Sequence, residues 1–395
     1  MLTALARLHL SWLALLIGLA WMVAEPAAAE DARPTANAPE SCVATPGVPA
    51  ARLALLRRGF NLTGWLDGSP PRAPDMAVLA ALRAKGFTHI RLPVTAERVI
   101  EAFAEPIDTM RTLADLDRAI AILLGRGFAV SIDLHPGDRL GRLYRTDPAK
   151  AFGSIDAAWR KLATRYAREP ADRLFFEVLN EPTADQAIWN ADGPRLAATI
   201  RRAAPNHTIV YGPANFQRIE ALEELAPLPD LNVVYAFHYY DPMVFTHQGL
   251  DWSQTDPLRY LEGVPFPASL ADPRVSALAA KLAAAGHVDA ATQLERDLET
   301  PWNEERIASA FAGLKPWLEA HHRPVILNEF GVLRWKASPA DRARWLATVR
   351  RAAERLCVGW AHWDYADAFG LAQRRGNGRE VLDPATIEAL VGSRP

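Results

Sequence analysis

Short apolar runs recur along the chain, each closing in polar or aromatic residues, over 57–62, 88–93, 128–135, 174–181, 208–211, 233–240, 324–329 and 358–363. Runs of this length predict strands buried on both faces. Between them, stretches over 76–85, 113–126, 155–168, 194–203, 304–321 and 339–356 repeat their apolar positions every three to four residues, which predicts helices. Eight strands alternating with helices in a chain of 395 residues predict a parallel α/β fold, and a closed (β/α)8 barrel fits better than an open doubly wound sheet.

The alternation is interrupted once, between the sixth and seventh strands, by an insertion over about 241–302. It opens with Phe245, His247, Gln248, Trp252, Tyr260 and Phe266 and continues in alanine-rich helical stretches over 275–285 and 290–298. At the C-terminal mouth of a barrel such a segment forms either a cleft wall with aromatic faces or a small satellite core under a long loop. The expectation is that it sets substrate preference and contributes less to folding.

The N-terminus reads as an address. An apolar run over 12–24 follows Arg7, falls short of the roughly 18 to 20 residues that span a bilayer, and leads to the small triplet Ala27-Ala28-Ala29. Residues 1–29 therefore read as a secretory signal peptide, 30–50 as an extended arm rich in alanine and proline, and 51–395 as the barrel domain. A periplasmic or secreted protein is expected, with no membrane span after cleavage.

Charge narrows the partners. Lys+Arg 44 against Asp+Glu 46 gives a formal net charge of -2 with no basic block, so no nucleic-acid partner is expected and a neutral one fits better. Gly59, Gly64 and Gly68 have the wrong spacing for a dinucleotide or phosphate loop, so no nucleotide cofactor is expected. The two cysteines exclude a disulfide framework and a cysteine-rich metal site and leave at most one bridge. Cys42 lies in the arm and Cys357 just before the eighth strand, which neighbours the first in a closed barrel. An arm crossing the base brings the two thiols together, and an oxidising compartment favours the bond.

The polar residues carry the chemistry. Strand four runs into Asn180-Glu181-Pro182 and strand seven into Asn328-Glu329-Phe330-Gly331. A carboxylate directly after a buried strand costs desolvation unless it is paired or used, and these two strands face each other across the mouth. Paired carboxyls across a cleft suit glycoside hydrolysis, in which one protonates the departing oxygen while the other attacks or activates water, with no metal or cofactor required.

In this order the chain carries Gly59-Phe60-Asn61-Leu62, His89-Ile90-Arg91-Leu92-Pro93, Asp133-Leu134-His135, Leu179-Asn180-Glu181-Pro182, His238-Tyr239-Tyr240, Asn328-Glu329-Phe330-Gly331 and Trp363. The ordered set resembles glycoside hydrolase family 5, the cellulase-like retaining enzymes. The resemblance implies Glu181 as general acid/base, Glu329 as nucleophile, and Arg91 as the charge that keeps Glu329 ionised. It further implies that Asn180 binds the sugar 2-hydroxyl, that His135, His238 and Tyr240 line the mouth, and that Trp363 forms the sugar platform. Trp65 is a second platform candidate, and Asp133 a brace beneath His135 or Arg91.

The implied activity is that of a β-glycanase on a neutral polysaccharide, first an endo-β-1,4-glucanase, acting as a monomer. Mannanase, β-1,3-glucanase and exopolysaccharide hydrolase or transglycosylase remain alternatives, because substrate choice lies in the loops. Two readings from other classes stand beside it. One is a metal-dependent barrel hydrolase with His135, His238, Asp133 and Glu181 as ligands, and the other is a non-catalytic carbohydrate-binding barrel.

Overall fold

The structure, a computed structural model, describes residues 46–366 and 368–392. The signal peptide read over 1–29, the arm as far as residue 45, and Cys42 lie outside the described residues. Eight parallel strands close a barrel in sequential order: β1 (Arg58–Asn61), β2 (His89–Thr95), β3 (Ala129–His135), β4 (Leu174–Glu177), β5 (Thr208–Tyr211), β6 (Val233–His238), β7 (Val325–Glu329) and β8 (Gly359–His362). β8 pairs back onto β1, and a short antiparallel hairpin, β9 (Ala372–Arg374) and β10 (Glu380–Leu382), follows. No helix among the described residues is long and apolar enough to cross a membrane.

The helix starts are written as an oxygen-bearing side chain before a proline. Asp147, Ser338 and Asp383 precede Pro148–Tyr166, Pro339–Arg355 and Pro384–Val391, and each accepts a hydrogen bond from a backbone N–H of the first turn. Four expected helices differ from the structure: those read over 113–126 and 155–168 begin a further two turns back, as Pro106–Gly125 and Pro148–Tyr166. The one read as starting at Pro194 spans Gln186–Ala203 with that proline inside it, and the one over 304–321 is two helices, Glu304–Ala312 and Lys315–His321, separated at Gly313.

Alternation along the strands divides the barrel interior into two levels. At the base, Ala129, Phe175, Val210, Val234, Ala236 and Ile326 pack with Val48 and Leu56, which flank the helix Ala50–Leu55. One pleat repeat higher the interior is polar. Asn61, Arg91, Asp133, Glu177, His238 and Asn328 are all buried there. A larger apolar layer, including Trp159, Trp189 and Trp345, fills the space between strands and helices.

The insertion is more than a satellite. Phe245, Phe266, Val275, Leu282 and Leu294 are buried and continuous with the main core. Of the two alternatives, a satellite core and a cleft wall, the separate satellite does not hold: the helices Pro273–Ala284 and Val288–Asp297 bury apolar faces in the same core that the barrel uses.

Candidate active site

Arg91 is the hub. Its guanidinium is fully buried and donates through Nε and Nη2 to the two oxygens of Glu177, both at 2.7 Å. Nη2 also donates to Asn180 Oδ1 at 2.8 Å and lies 3.1 Å from Asp133 Oδ2, while Nη1 donates to Asn61 Oδ1 at 2.9 Å and Glu329 Oε1 at 2.5 Å. Burial works against its charge, and Asp133, Glu177 and Glu329 outweigh that penalty and hold the guanidinium more firmly protonated than usual.

The two candidate carboxyls approach closely. A register shift in β6 between Phe237 and His238 sets His238 beside Glu329. His238 Nδ1 then lies 2.9 Å from Glu181 Oε1 and 3.5 Å from Glu329 Oε2, and the ligand-type atoms of all three residues fall within 4.8 Å of one another. Tyr240 donates its hydroxyl to Glu329 Oε2 at 3.0 Å. Tyr239, between them in sequence, turns outward to stack on Trp345. The 29 % exposed side chain of Glu181 faces the mouth, whereas Glu329 is 6 % exposed.

The backbone of Glu181 is a constrained corner. β4 ends at Glu177, and Glu181 takes a left-handed φ of 36°. Its N–H donates to Gln217 Oε1 at 2.8 Å. Gln217 itself closes a left-handed run with Asn215 and Phe216 at φ 54°, 58° and 50°. Gly212 makes room for it, since a Cβ there would meet Gln217 Nε2 at 2.0 Å. Such a corner persists only where its surroundings over-determine it, and this one aims the Glu181 carboxyl across the mouth.

Electrostatics separate the groups. Burial raises Glu181 to about 7, with Asp133 adding to the effect and His135 and Arg91 opposing it. The leading cause is thus desolvation, and the anion that assists is Asp133. Burial lowers His238 to about 4, keeping its imidazole neutral. Burial also disfavours the charged form of His135, but Asp133, whose Oδ2 lies 2.8 Å from His135 Nδ1, outweighs it and raises His135 to about 9. Asp133 therefore braces both His135 and Arg91. Burial pushes Glu177 upward as well, and Arg91, which donates to both of its oxygens, opposes that push.

The remaining expected residues divide. Trp363 stacks on His135 with ring centres 5.8 Å apart and stands half-buried at the mouth. Trp65 is 9 % exposed and belongs to the main core, so it does not present the open face expected of a second platform. Beyond Glu181, His238 and Tyr240 the mouth opens into a cleft of about 430 Å³, walled by Phe216, Arg218, Asp241, Met243, His247 and Trp252. Trp252, from the insertion, is 59 % exposed, and Phe216 is 65 % exposed. The sequence reading missed Glu177, Asn328, Gln217, Phe216 and Arg218. An acid inside the apolar run Leu174-Phe175-Phe176-Glu177-Val178 was the available signal for the first.

Among the described residues, the group with metal-ligand spacing is Glu181, His238 and Glu329. It differs from the set His135, His238, Asp133 and Glu181, because His135 and Asp133 bond each other.

Two carboxyl groups thus face each other across the mouth of a (β/α)8 barrel, one raised by burial and one against a buried arginine. The profile of the family Cellulase (glycosyl hydrolase family 5) matches residues 53–368, and the chain belongs to that family of glycoside hydrolases. It is 28% identical over 355 residues to endoglucanase 3 of Fibrobacter succinogenes, covering 84% of this chain and 52% of that protein. To cellodextrinase A of Ruminococcus flavefaciens it is 28% identical over 210 residues, covering 50% of this chain and 62% of the relative. These matches span about half to two thirds of the relatives' own length. Among solved structures, endoglucanase Cel5A of Thermotoga maritima superposes with a TM-score of 0.69 at 26% identity, covering 86% of this chain and 98% of that one. Structures of that enzyme hold cellobiose and, separately, mannotriose. The Clostridioides difficile cellulose synthase subunit Z shares the fold, with a TM-score of 0.67 at 23% identity, covering 85% of this chain and 99% of that one.

Proposed function

We propose that the protein is a retaining β-glycanase, first an endo-β-1,4-glucanase, with Glu181 as general acid/base and Glu329 as nucleophile. The observation that carries the reading is the close approach of the two carboxyls, whose facing atoms lie within 4.8 Å. That approach supports the roughly 5 to 5.5 Å between carboxyls of a double displacement over the about 6.5 to 9.5 Å of inversion.

In the first step Glu329 attacks the anomeric carbon as the bond to the leaving oxygen breaks, and Glu181 gives that oxygen its proton. In the second, water attacks the glycosyl-enzyme, Glu181 takes the water's proton, and Glu329 departs as carboxylate. Arg91 and the Tyr240 hydroxyl each donate to one oxygen of Glu329, which orients it toward the anomeric carbon. Asn180, fixed through Arg91, faces the sugar 2-hydroxyl, and Trp363 on His135 supplies a flat apolar platform. The open cleft suits attack within a chain. Residues 1–29 export the protein, which works as a single copy.

The names of the relatives support glucan as substrate. The mannotriose complex of Thermotoga Cel5A favours β-mannan as a second one. A panel of glucans, mannans and exopolysaccharides with product analysis tests the reading, with Glu329→Gln as control. Activity on none of them, or a Glu329→Gln variant that keeps near-normal turnover, would overturn it.

A further inference from the structure

Glu177 is the one carboxylate that holds Arg91 by both oxygens, and the proposed chemistry gives it no task. It is buried on β4, one pleat repeat above Phe175 at the barrel base. Three donors converge on it: Arg91 Nε on Oε2, Arg91 Nη2 on Oε1, and Asn328 Nδ2 on Oε1 at 2.9 Å. That is the coordination of an ionised carboxylate, which accepts at both oxygens. Asn328 is the residue before Glu329, so Glu177 grips both the arginine that touches the nucleophile and the strand that carries it.

We propose that Glu177 is a positioning residue that sets the charge at the carboxyl pair. By sharing Arg91 with Glu329 it limits how much positive potential reaches Glu329 and Glu181. The inference rests on the reading of those two residues as the reacting pair.

The sign follows from counting the groups that face one another. β3 supplies Asp133 and His135, β4 supplies Glu177, the turn after it Glu181, β6 and the residues beyond it His238 and Tyr240, and β7 Glu329. Asn61, Asn180 and Asn328 are neutral. Arg91 and His135 are thus the cations, set against Asp133, Glu177 and Glu329. Glu177→Gln removes one anion at nearly constant volume and leaves Arg91 less neutralised. A more positive surrounding favours the ionised form of a carboxyl, so Glu181 loses its proton at lower pH.

The test is the pH dependence of kcat/KM for Glu177→Gln on an oligosaccharide substrate, with thermal melting to confirm the fold. The limb that Glu181 sets is expected to move to lower pH by about one unit. A folded variant of lowered activity whose limb stays at the wild-type position would show that Glu177 only supports the fold, and would overturn the proposal. Should Glu177→Gln fail to fold, Asn328→Ala supplies the second measurement. It removes one donor from Glu177, leaves that anion less compensated, and should move the Glu181 limb the other way, to higher pH, by a smaller amount; an unmoved limb would overturn the proposal equally. Glu329→Gln in parallel keeps the two readings distinguishable. If it abolishes turnover and the Glu181 limb does not move, the proposal for Glu177 fails alone; if it remains active, the pair itself was misassigned.

Discussion

His238 Nδ1 lies 2.9 Å from Glu181 Oε1, so the candidate acid is bonded to an imidazole that burial keeps neutral. A neutral partner adds no cationic pull on Glu181, which leaves desolvation to raise that carboxyl to about 7. The proton needed for the first step is therefore held below about 7 and lost above it. For substrates with poor leaving groups, kcat/KM should fall as pH rises through that value. A profile flat from 6 to 9 on such a substrate would contradict the assignment; the measurement is initial rate against pH at low substrate concentration.

Trp252 tests the cleft wall. At 59 % exposure it contributes little to folding, yet it lines the cleft that leads from Glu181. Trp252→Ala should raise KM for oligosaccharides about three- to tenfold, roughly the value of one aromatic stacking contact, while melting at the wild-type temperature. Unchanged KM on long oligosaccharides would place the sugar chain elsewhere.

Leu294 tests the insertion from the inside. It is fully buried and belongs to the core that the barrel shares. Leu294→Ala should cost about 2 to 5 kcal/mol and lower the melting temperature of the whole domain in one transition. A separate low-temperature transition would mark the insertion as an independent unit.

The cysteines give a chemical test. Cys357 sits at φ 60° in the turn before β8, the strand that pairs with β1. A bridge to Cys42 predicts that the unreduced, unfolded chain takes up no alkylating reagent and takes up two equivalents after reduction. Two equivalents before reduction would rule it out.

How far the fold could be read from sequence follows from what each feature depends on. The strands were legible because parallel barrel strands are buried on both faces and read as bare apolar runs, and the helix at Ser338-Pro339 because its cap stops the pattern sharply, whereas the start at Asp147-Pro148 was missed. Strand ends were read too long at Glu181, Tyr240 and Trp363, because these residues have left the ladder to turn into the mouth. Glu181, Glu329, His238 and Tyr240 come together at or just past their strand ends, while Arg91, expected at the end of its strand, reaches them from within β2. Glu177 and Asn328 were not legible: their value depends on which strands face each other through Arg91, a register that a single sequence does not display. Trp65 misled for the opposite reason, since an aromatic residue after a strand fits core and platform equally well until its burial is known.

The roles of Glu181 and Glu329 can be separated in one reaction. Glu181→Ala, given an aryl β-glycoside whose leaving group needs no protonation, still forms the glycosyl-enzyme on Glu329, and azide, too small to need a general base, intercepts it. Proton NMR of the product is the measurement. The account predicts restored turnover and a β-glycosyl azide; an α-glycosyl azide, which would make Glu181 the nucleophile, or no azide product at all, would contradict it.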